Sequence, residues 1–239
     1  MPWHHGWDVP SLQDYPSAVI LRGVSEGMPL SERAFRSLLK EAIRELEIPH
    51  EKLSSLRTVI GIPYNNRDQK EVLRRLVMGT IKPATCLVVS QTLGTLVYEK
   101  KRTGLVVSIG QGTTEIVYYN DLKPVLGRSL RQACDYLYQG RERLAYLDTE
   151  NKAIPRQRII SLAELVSDEI NAITSQLSTR VDAILSGGTV LLADIYKEIQ
   201  NRLKDIVVIP SGDPVYSNCL GLAMLYDITQ TETRAPVPN

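Results

Sequence analysis

Residues 104–119 read GLVVSIGQGTTEIVYY, and this segment carries the most specific fold signal in the chain. An apolar run of strand-forming residues breaks at Gly110-Gln111-Gly112, and a second strand pattern resumes after Thr113-Thr114. Glycines can take positive φ and bring the backbone close to a ligand, so successive N–H groups can point at one anion beside the two hydroxyls. The stretch therefore predicts a hairpin that carries a phosphate-binding loop.

A second glycine pair strengthens this prediction. The segment LSGGT at 185–189 follows another apolar strand pattern and opens a helix, where unpaired N–H groups and the helix dipole favour an anion. Ordinary glycine turns remain an alternative explanation for either loop alone. Together the loops predict one cleft between two sheets, bordered by 110–112 and by Gly187, Gly188 and Thr189.

Composition indicates an ordinary globular chain and suggests neither a nucleic-acid partner nor a membrane span. The 239 residues are 43% hydrophobic and 23% charged, as in a typical globular chain, and the formal net charge is +1. The interspersed charges give no sign of a nucleic-acid partner. No apolar run approaches the roughly 18 residues of a membrane span, so we expect a cytoplasmic protein. The three cysteines and three histidines are too scattered to predict a disulfide framework or a metal cluster.

Periodicity predicts alternating strands and helices. The strand patterns lie at 18–21, 58–62, 86–89, 104–109, 113–119, then to 126, and at 183–185 and 206–209. The helix patterns lie at 34–46, from Asn65 to Val77, at 91–99 and 129–138, from a capping box at Ser161 to Glu164 onwards, at 189–203, and from Asp213-Pro214. Residues 139–158 read as a connection. This order is typical of an α/β protein.

We predict four regions from this pattern. Residues 1–16 read as an irregular N-terminal arm, 17–103 as a first α/β domain and 104–228 as a second, more complete one. Residues 229–239 are polar and contain proline, which is typical of a flexible tail.

Four segments resemble the actin-like ATPase superfamily, in that family's order. They are GIPYNNRDQKEVLRRL (61–76), QTLGTLVYEKKRTGLVVSIGQGTTEIVYY (91–119), ILSGGTVLLADIYKEI (184–199) and IPSGDPVYSNCLGLAML (209–225). From about residue 57 to 228, the resemblance implies two actin-like (ribonuclease-H-like) α/β units. The second unit would be more complete, and the lobes that close the cleft would be reduced or absent.

The resemblance also implies site residues and makes ATP a candidate cofactor. It places Gly110, Gln111, Gly112, Thr113 and Thr114 against the β- and γ-phosphates. It places Gly187, Gly188 and Thr189 beside the α-phosphate and the sugar or base. Gln91 would stand where the family orients the attacking water, although it also reads as a simple helix-start residue.

The sequence departs from the family at three places. Nothing in residues 1–30 matches the usual first phosphate loop. Ser108 stands where many members carry the acidic residue that holds Mg²⁺ through water, so no metal ligand is assigned and Mg²⁺ is doubtful. The segment between Tyr138 and Ser161 is too short for the lobe that covers adenine. These departures predict a reduced nucleotide cleft.

Three functions follow from this combination. The leading one is an actin-like structural or assembly protein that binds ATP weakly or not at all and acts by self-association or with another chain, since an unpaired sheet edge tends to acquire a partner strand. The first alternative is an active Mg-ATP-hydrolysing filament or chaperone-type ATPase completed by a partner. A small-molecule kinase is a further alternative. The sequence shows no evident catalytic base for a kinase. Glu115 is the nearest acid, and strand alternation is equally consistent with a surface or turn-facing charge at this position.

Overall fold

A five-stranded sheet and a two-stranded parallel sheet form the framework of the computed structural model. The structure describes residues 24–25, 28–29, 32–137 and 154–233. The strands are β1 (Val24–Ser25), β2 (Met28–Pro29), β3 (Arg57–Ile62), β4 (Thr85–Ser90), β5 (Gly104–Ile109), β6 (Thr114–Asn120), β7 (Lys123–Leu130), β8 (Ala183–Ser186) and β9 (Val208–Pro210). The helices are α1 (Glu32–Glu45), α2 (Lys70–Ile81), α3 (Thr92–Tyr98), α4 (Cys134–Leu137), α5 (Arg156–Thr174), α6 (Ala193–Arg202) and α7 (Ser217–Thr233).

The five-stranded sheet has the order β7-β6-β5-β8-β9. The hairpin strands β5, β6 and β7 are antiparallel neighbours. Strand β8 pairs in parallel with β5, and β9 pairs in parallel with β8. Every residue of β5 and β8 is buried, as expected of apolar strands that are covered on both faces. This sheet places the ends of β5 and β8 side by side.

Helices α5 and α6 cover one face of this sheet. The buried residues of α5 recur at helical spacing, as an amphipathic helix requires, and they are Ile159, Leu162, Ala163, Val166, Ile170 and Ile173. They pack with Leu105, Val107 and Ile116 of the sheet into the largest apolar cluster of the described residues. The opposite face packs against α3 and α7 through Val106, Val117 and Ile184.

The two-stranded sheet is formed by β3 and β4, which pair in register from Arg57 opposite Thr85 to Ile62 opposite Ser90. On one face Ile62 and Val88 pack against Leu73 of α2. On the other face α3 and α7 approach β3. The same two helices therefore lie between the two sheets.

Helices α3 and α7 touch backbone to backbone. A Cβ atom placed on Gly94 would lie 1.9 Å from the carbonyl oxygen of Asn218, and one on Gly221 would lie 1.7 Å from the carbonyl oxygen of Gly94. Contacts below 3.0 Å are not seen for real Cβ atoms. No residue with a side chain fits at either position without moving a helix.

The structure corrects several predicted boundaries. Residues 129–130 end strand β7 and do not begin a helix, because they continue the pairing with β6; the described part of the following helix is Cys134–Leu137. Helix α5 begins directly after Pro155, so Ser161 lies inside it and the predicted capping box is wrong. Proline suits the start of a helix because its N–H is not needed there.

The ends of the chain also differ from the prediction. Helix α7 continues through Thr233, so residues 229–233 of the predicted tail are helical. A 3-10 turn over Tyr64–Gln69 precedes α2, where the sequence predicts a single helix. The predicted arm at 1–16, the strand at 18–21 and most of the connection at 139–158 lie outside the described residues.

Candidate functional site

The two glycine loops meet at the ends of β5 and β8. A Cβ atom on Gly187 would lie 2.2 Å from the carbonyl oxygen of Ile109, so the two backbones are in direct contact. The hydroxyl of Thr189 donates to the carbonyl oxygen of Gly110 over 3.1 Å. The structure thus brings 110–112 and 187–189 together, as the sequence predicts.

The first loop presents unpaired N–H groups. Gly110 N–H donates to the carbonyl oxygen of Thr113 over 3.0 Å, which closes the hairpin. Within the described part of the chain, the N–H groups of Gln111, Gly112 and Thr113 donate to no acceptor. All three residues are half-exposed, and among the described residues no atom beyond the two chain neighbours lies within 4 Å of the place where Gly112 would carry a Cβ. We call residues 110–113 the anion cradle, since clustered backbone N–H groups attract anions.

The cradle is held from behind by two further hydrogen bonds. The carbonyl oxygens of Gly110 and Gln111 accept from the N–H groups of Cys134 and Asp135 over 3.1 and 2.8 Å. These bonds orient the loop carbonyls away from its free N–H groups. The cradle therefore has a fixed polarity, with donors toward the open side.

Two details of the predicted loop are different in the structure. Neither Gly110 nor Gly112 has a positive φ; of the loop glycines, Gly187 does, at 92°. The hydroxyl of Thr114 donates to the carbonyl oxygen of Gln132 over 2.7 Å and Thr114 is fully buried. Thr114 thus makes a structural contact, and its hydroxyl does not face the open side of the cradle.

A row of polar side chains crosses the sheet next to the cradle. Ser108 pairs with Ser186 on one side and with Glu115 on the other, and Glu115 pairs with Ser129. Directly paired residues point to the same face of a sheet. These four residues, which we call the polar row, therefore lie on one face, the one that packs against α3 and α7.

Glu115 is fully buried, which corrects the expectation of a surface charge. Its Oε1 accepts hydrogen bonds from Tyr64 N–H over 2.9 Å and from the Ser129 hydroxyl over 2.6 Å. Burial raises the pKa of Glu115 to about 7, although the bonds from Ser129, Tyr64 and Gln91 favour the ionised form. The only signal in the sequence is an acid at an alternate position of an otherwise apolar strand.

Gln91 lies directly before α3 and faces Glu115. Its N–H donates to the carbonyl oxygen of Ile62 over 2.9 Å, which ties the start of α3 to the end of β3. Its side chain stabilises the carboxylate of Glu115. Gln91 thus has the helix-start role and also lies beside the one acid of the polar row.

Asn218 reaches Ser108 from α7, a contact that the sequence analysis missed. Its Nδ2 donates to the Ser108 hydroxyl over 3.1 Å, while its Oδ1 accepts from the Thr95 hydroxyl over 2.6 Å. The Thr95 hydroxyl also lies 3.0 Å from that of Ser217. Because the contact joins residues 110 positions apart, no local pattern indicates it.

The anion cradle and the neighbouring polar row together fit a phosphate but not a divalent metal. The free N–H groups match the acceptor oxygens of a phosphate. Mg²⁺ prefers carboxylate oxygens, whereas Ser108 offers a neutral hydroxyl that already accepts from an amide. Among the described residues, no group of three or more His, Cys, Asp or Glu side chains is arranged to hold a metal ion.

A cavity of about 580 Å³ lies elsewhere, beside the ends of α5 and α6. Its lining includes Arg180, Arg202 and Lys204. Cations at helix C-termini offset the negative end of the helix dipole. We therefore interpret these cations as structural and place the candidate site at the cradle.

Comparison with solved structures identifies the fold. MreB 5 of Spiroplasma citri, solved with AMPPNP bound, has a TM-score of 0.72 and 11% sequence identity; the match covers 91% of this chain and 83% of that one. The ethanolamine utilization protein EutJ from Carboxydothermus hydrogenoformans has a TM-score of 0.64 and 19% identity, with 85% and 78% covered. No protein-family model and no curated protein matches the sequence.

Both neighbours are members of the actin-like ATPase superfamily. The chain therefore has the actin-like α/β fold, in a reduced form, which confirms the fold predicted from the sequence. No helix in the described segments has the length and apolar character to cross a membrane.

Proposed function

We propose that this chain is an actin-like assembly protein that keeps a cradle for the phosphates of a nucleotide but has weak or no catalytic turnover. It would act by self-association or by binding another chain. The observation that carries the proposal is the convergence of 110–113 with 187–189 beside a serine where the family's metal-directing acid is expected. The cytoplasmic location and the domain boundary at 103/104 are part of the same proposal.

Binding rests on the backbone of the cradle. The N–H groups of Gln111, Gly112 and Thr113 would hold the terminal phosphates, and Gly188 and Thr189 would border the inner phosphate. ATP, when bound, supplies a triphosphate whose oxygens are strong acceptors for such donors. The similarity to an MreB solved with AMPPNP supports ATP as the candidate ligand.

Association rests on exposed strand edges. In the described part of the chain, β3 and β4 pair only with each other, and β7 pairs only with β6. On β7, Val125 is 51% exposed. Open edges with apolar side chains favour pairing with another strand, so we propose that a second chain covers one of these edges.

Thermal unfolding and sedimentation test the proposal together. ATP should raise the melting temperature, because a ligand at about 100 times its Kd stabilises the native state by about 2.7 kcal/mol. Sedimentation velocity over a concentration series should show a species larger than the monomer. A chain that stays monomeric at high concentration, with and without ATP, contradicts the assembly role, and an unchanged melting temperature contradicts the nucleotide role.

A second candidate, an active ATP hydrolase completed by a partner, is favoured by the contact between Gln91 and Glu115. A buried carboxyl with a pKa of about 7 can accept or donate a proton near neutral pH. Glu115 is, however, enclosed by Tyr64, Ser129 and Gln91. A kinase would need this acid as a base that reaches a substrate hydroxyl, so the kinase alternative has less support.

Phosphate release separates the two candidates. An active hydrolase would release phosphate in the presence of Mg²⁺, and both Gln91→Ala and Glu115→Gln would lower the rate by about 100-fold, the usual weight of general acid–base catalysis. The half-exposed Gln69, at the end of the turn before α2, gives a matched control, Gln69→Ala. No release by the native chain, alone or with added cellular extract, leaves the assembly protein as the proposal.

A further inference from the structure

Ser108 carries a neutral hydroxyl, held in place by a hydrogen bond, where many members of the superfamily carry a metal-directing carboxylate. The residue is 4% exposed, and its hydroxyl oxygen accepts from Asn218 Nδ2 over 3.1 Å. The Thr95 hydroxyl donates to Asn218 Oδ1 over 2.6 Å, which sets the orientation of the amide. The amide therefore presents its NH₂ group, and not its oxygen, to Ser108.

This arrangement uses one of the two acceptor positions of the Ser108 hydroxyl. A hydroxyl has one donor and two lone pairs, and one lone pair is taken by the amide. Its own O–H donates to no described residue. Ser108, two residues before the cradle, therefore brings no negative charge to it, and the N–H groups of 111–113 are hydrogen-bond donors, which attract an anion.

The other members of the polar row do not replace the missing carboxylate. The Ser186 hydroxyl is buried and has no partner in the described part of the chain. Glu115 carries the one carboxyl of the row, and its Oε1 is already held by Tyr64 and Ser129. Its Oε2 makes no hydrogen bond of ordinary length and angle with a described residue, although the Gln91 side chain lies near enough to favour the ionised form of the carboxyl. Mg²⁺ beside a nucleotide is usually held by one or two carboxylates together with water and the phosphates, and the fully buried Glu115 does not present such a carboxylate to the cradle.

We propose that the cradle binds its phosphate-bearing ligand as a metal-free polyphosphate anion, and that the Ser108–Asn218–Thr95 contacts set this preference. The inference rests on the proposed nucleotide role of the same site. Divalent metal then competes with the cradle, because a chelated triphosphate has fewer free oxygens and less negative charge for the N–H groups.

Calorimetric titration with ATP, and separately with inorganic triphosphate, tests the preference in excess EDTA and in excess MgCl₂. The native chain should bind both probes in EDTA, and MgCl₂ should weaken binding severalfold. Inorganic triphosphate isolates the phosphate contribution from that of the base.

Two substitutions should reverse the metal dependence. Ser108→Asp places a carboxylate on β5, and Asn218→Asp places one at the amide while Thr95 and Ser108 can still donate to it. In either variant MgCl₂ should now strengthen binding of ATP by about tenfold, or about 1.4 kcal/mol. The second variant keeps the test open if the buried carboxylate of the first variant prevents folding. Ser175→Asp, at the exposed end of α5, is the matched control and should keep the native preference for EDTA.

The outcomes separate this inference from the proposed function. One outcome is that the native chain binds in both conditions and binds more tightly in MgCl₂ than in EDTA. This result would overturn the metal-free preference and leave the nucleotide role intact. The preference is also overturned if neither aspartate variant changes the effect of MgCl₂ while both remain folded. No binding of either probe under any condition overturns both proposals.

Discussion

The two glycine loops look alike in sequence but differ in what their glycines do. In the second loop, Gly187 has a φ of 92° and its backbone lies against Ile109, so a side chain is excluded both by conformation and by space. In the first loop, the φ of Gly112 is not positive, and its Cβ position lies in open space with respect to the described segments of the chain. Packing requires the one glycine and leaves the other free.

This difference shows where a ligand is to be expected. Packing accounts for the glycine at position 187, since a side chain there would separate β5 from β8. A glycine in open space, beside three unpaired N–H groups, is not explained by packing within the segments that the structure describes. We therefore infer that Gly112 keeps room for a ligand, while Gly187 joins the two loops.

Gly187→Ala should have the largest effect on this comparison. The new methyl would meet the carbonyl oxygen of Ile109 at 2.2 Å and hold an unfavourable φ, which should cost about 3 kcal/mol or more of the free energy of unfolding. Urea denaturation measures this cost. Gly212→Ala, where the nearest atom is 3.7 Å away, is the control; similar midpoints for the two variants would contradict the contact.

Glu115→Gln should have the next largest effect, and it depends on pH. Because burial raises the pKa from 4.5 to about 7, the folded state binds the proton more tightly than the unfolded chain. The native protein therefore loses stability as the pH rises from about 4.5 to 7, by about 3 kcal/mol in all. The glutamine keeps an acceptor for Tyr64 and Ser129 without the buried charge.

The variant should accordingly be more stable than the native chain at pH 8 and no more stable at pH 4.5. Melting curves at a series of pH values measure the difference, and Glu51→Gln at an exposed position should show none. A constant difference between the native chain and Glu115→Gln across this range would mean that Glu115 is not the titrating group.

Thr189→Val should have a smaller effect. It removes the 3.1 Å hydrogen bond to the carbonyl oxygen of Gly110 and keeps the shape of the side chain. That carbonyl still accepts from Cys134 N–H, so no buried acceptor is left unpaired and the cost should be about 1 kcal/mol. Thermal unfolding measures it. A loss above about 3 kcal/mol would show that the two loops depend on this bond more than the geometry indicates.

Gly112→Ala should have the smallest effect on stability, below about 1 kcal/mol, because the position is open and its φ suits alanine. The same change should weaken ATP binding severalfold, since the methyl would project beside the free N–H groups. Unfolding and calorimetric titration of the same preparation give both values. Unchanged affinity would break the distinction drawn between Gly112 and Gly187.

The order of strands and helices could be predicted because hydrophobic periodicity and the glycine breaks are local signals. Burial of Glu115 could not, since alternation assigns a side chain to one face of a strand without saying whether that face is covered. The contact between Asn218 and Ser108 depends on how α7 lies across the sheet. The start of α5 was mispredicted because a capping-box pattern at Ser161 competes with Pro155, and proline determines the start.

The contact between Gly94 and Gly221 has a consequence for relatives of this chain. In this chain the two helices touch with no space for a side chain at either position, so a side chain at one position requires a shift of the helix that carries the other. Substitution at these two sites should thus be correlated across an alignment, even though they lie 127 positions apart in the sequence. Two glycines at this sequence separation could serve to recognise divergent homologues in which the residues of the cradle have changed.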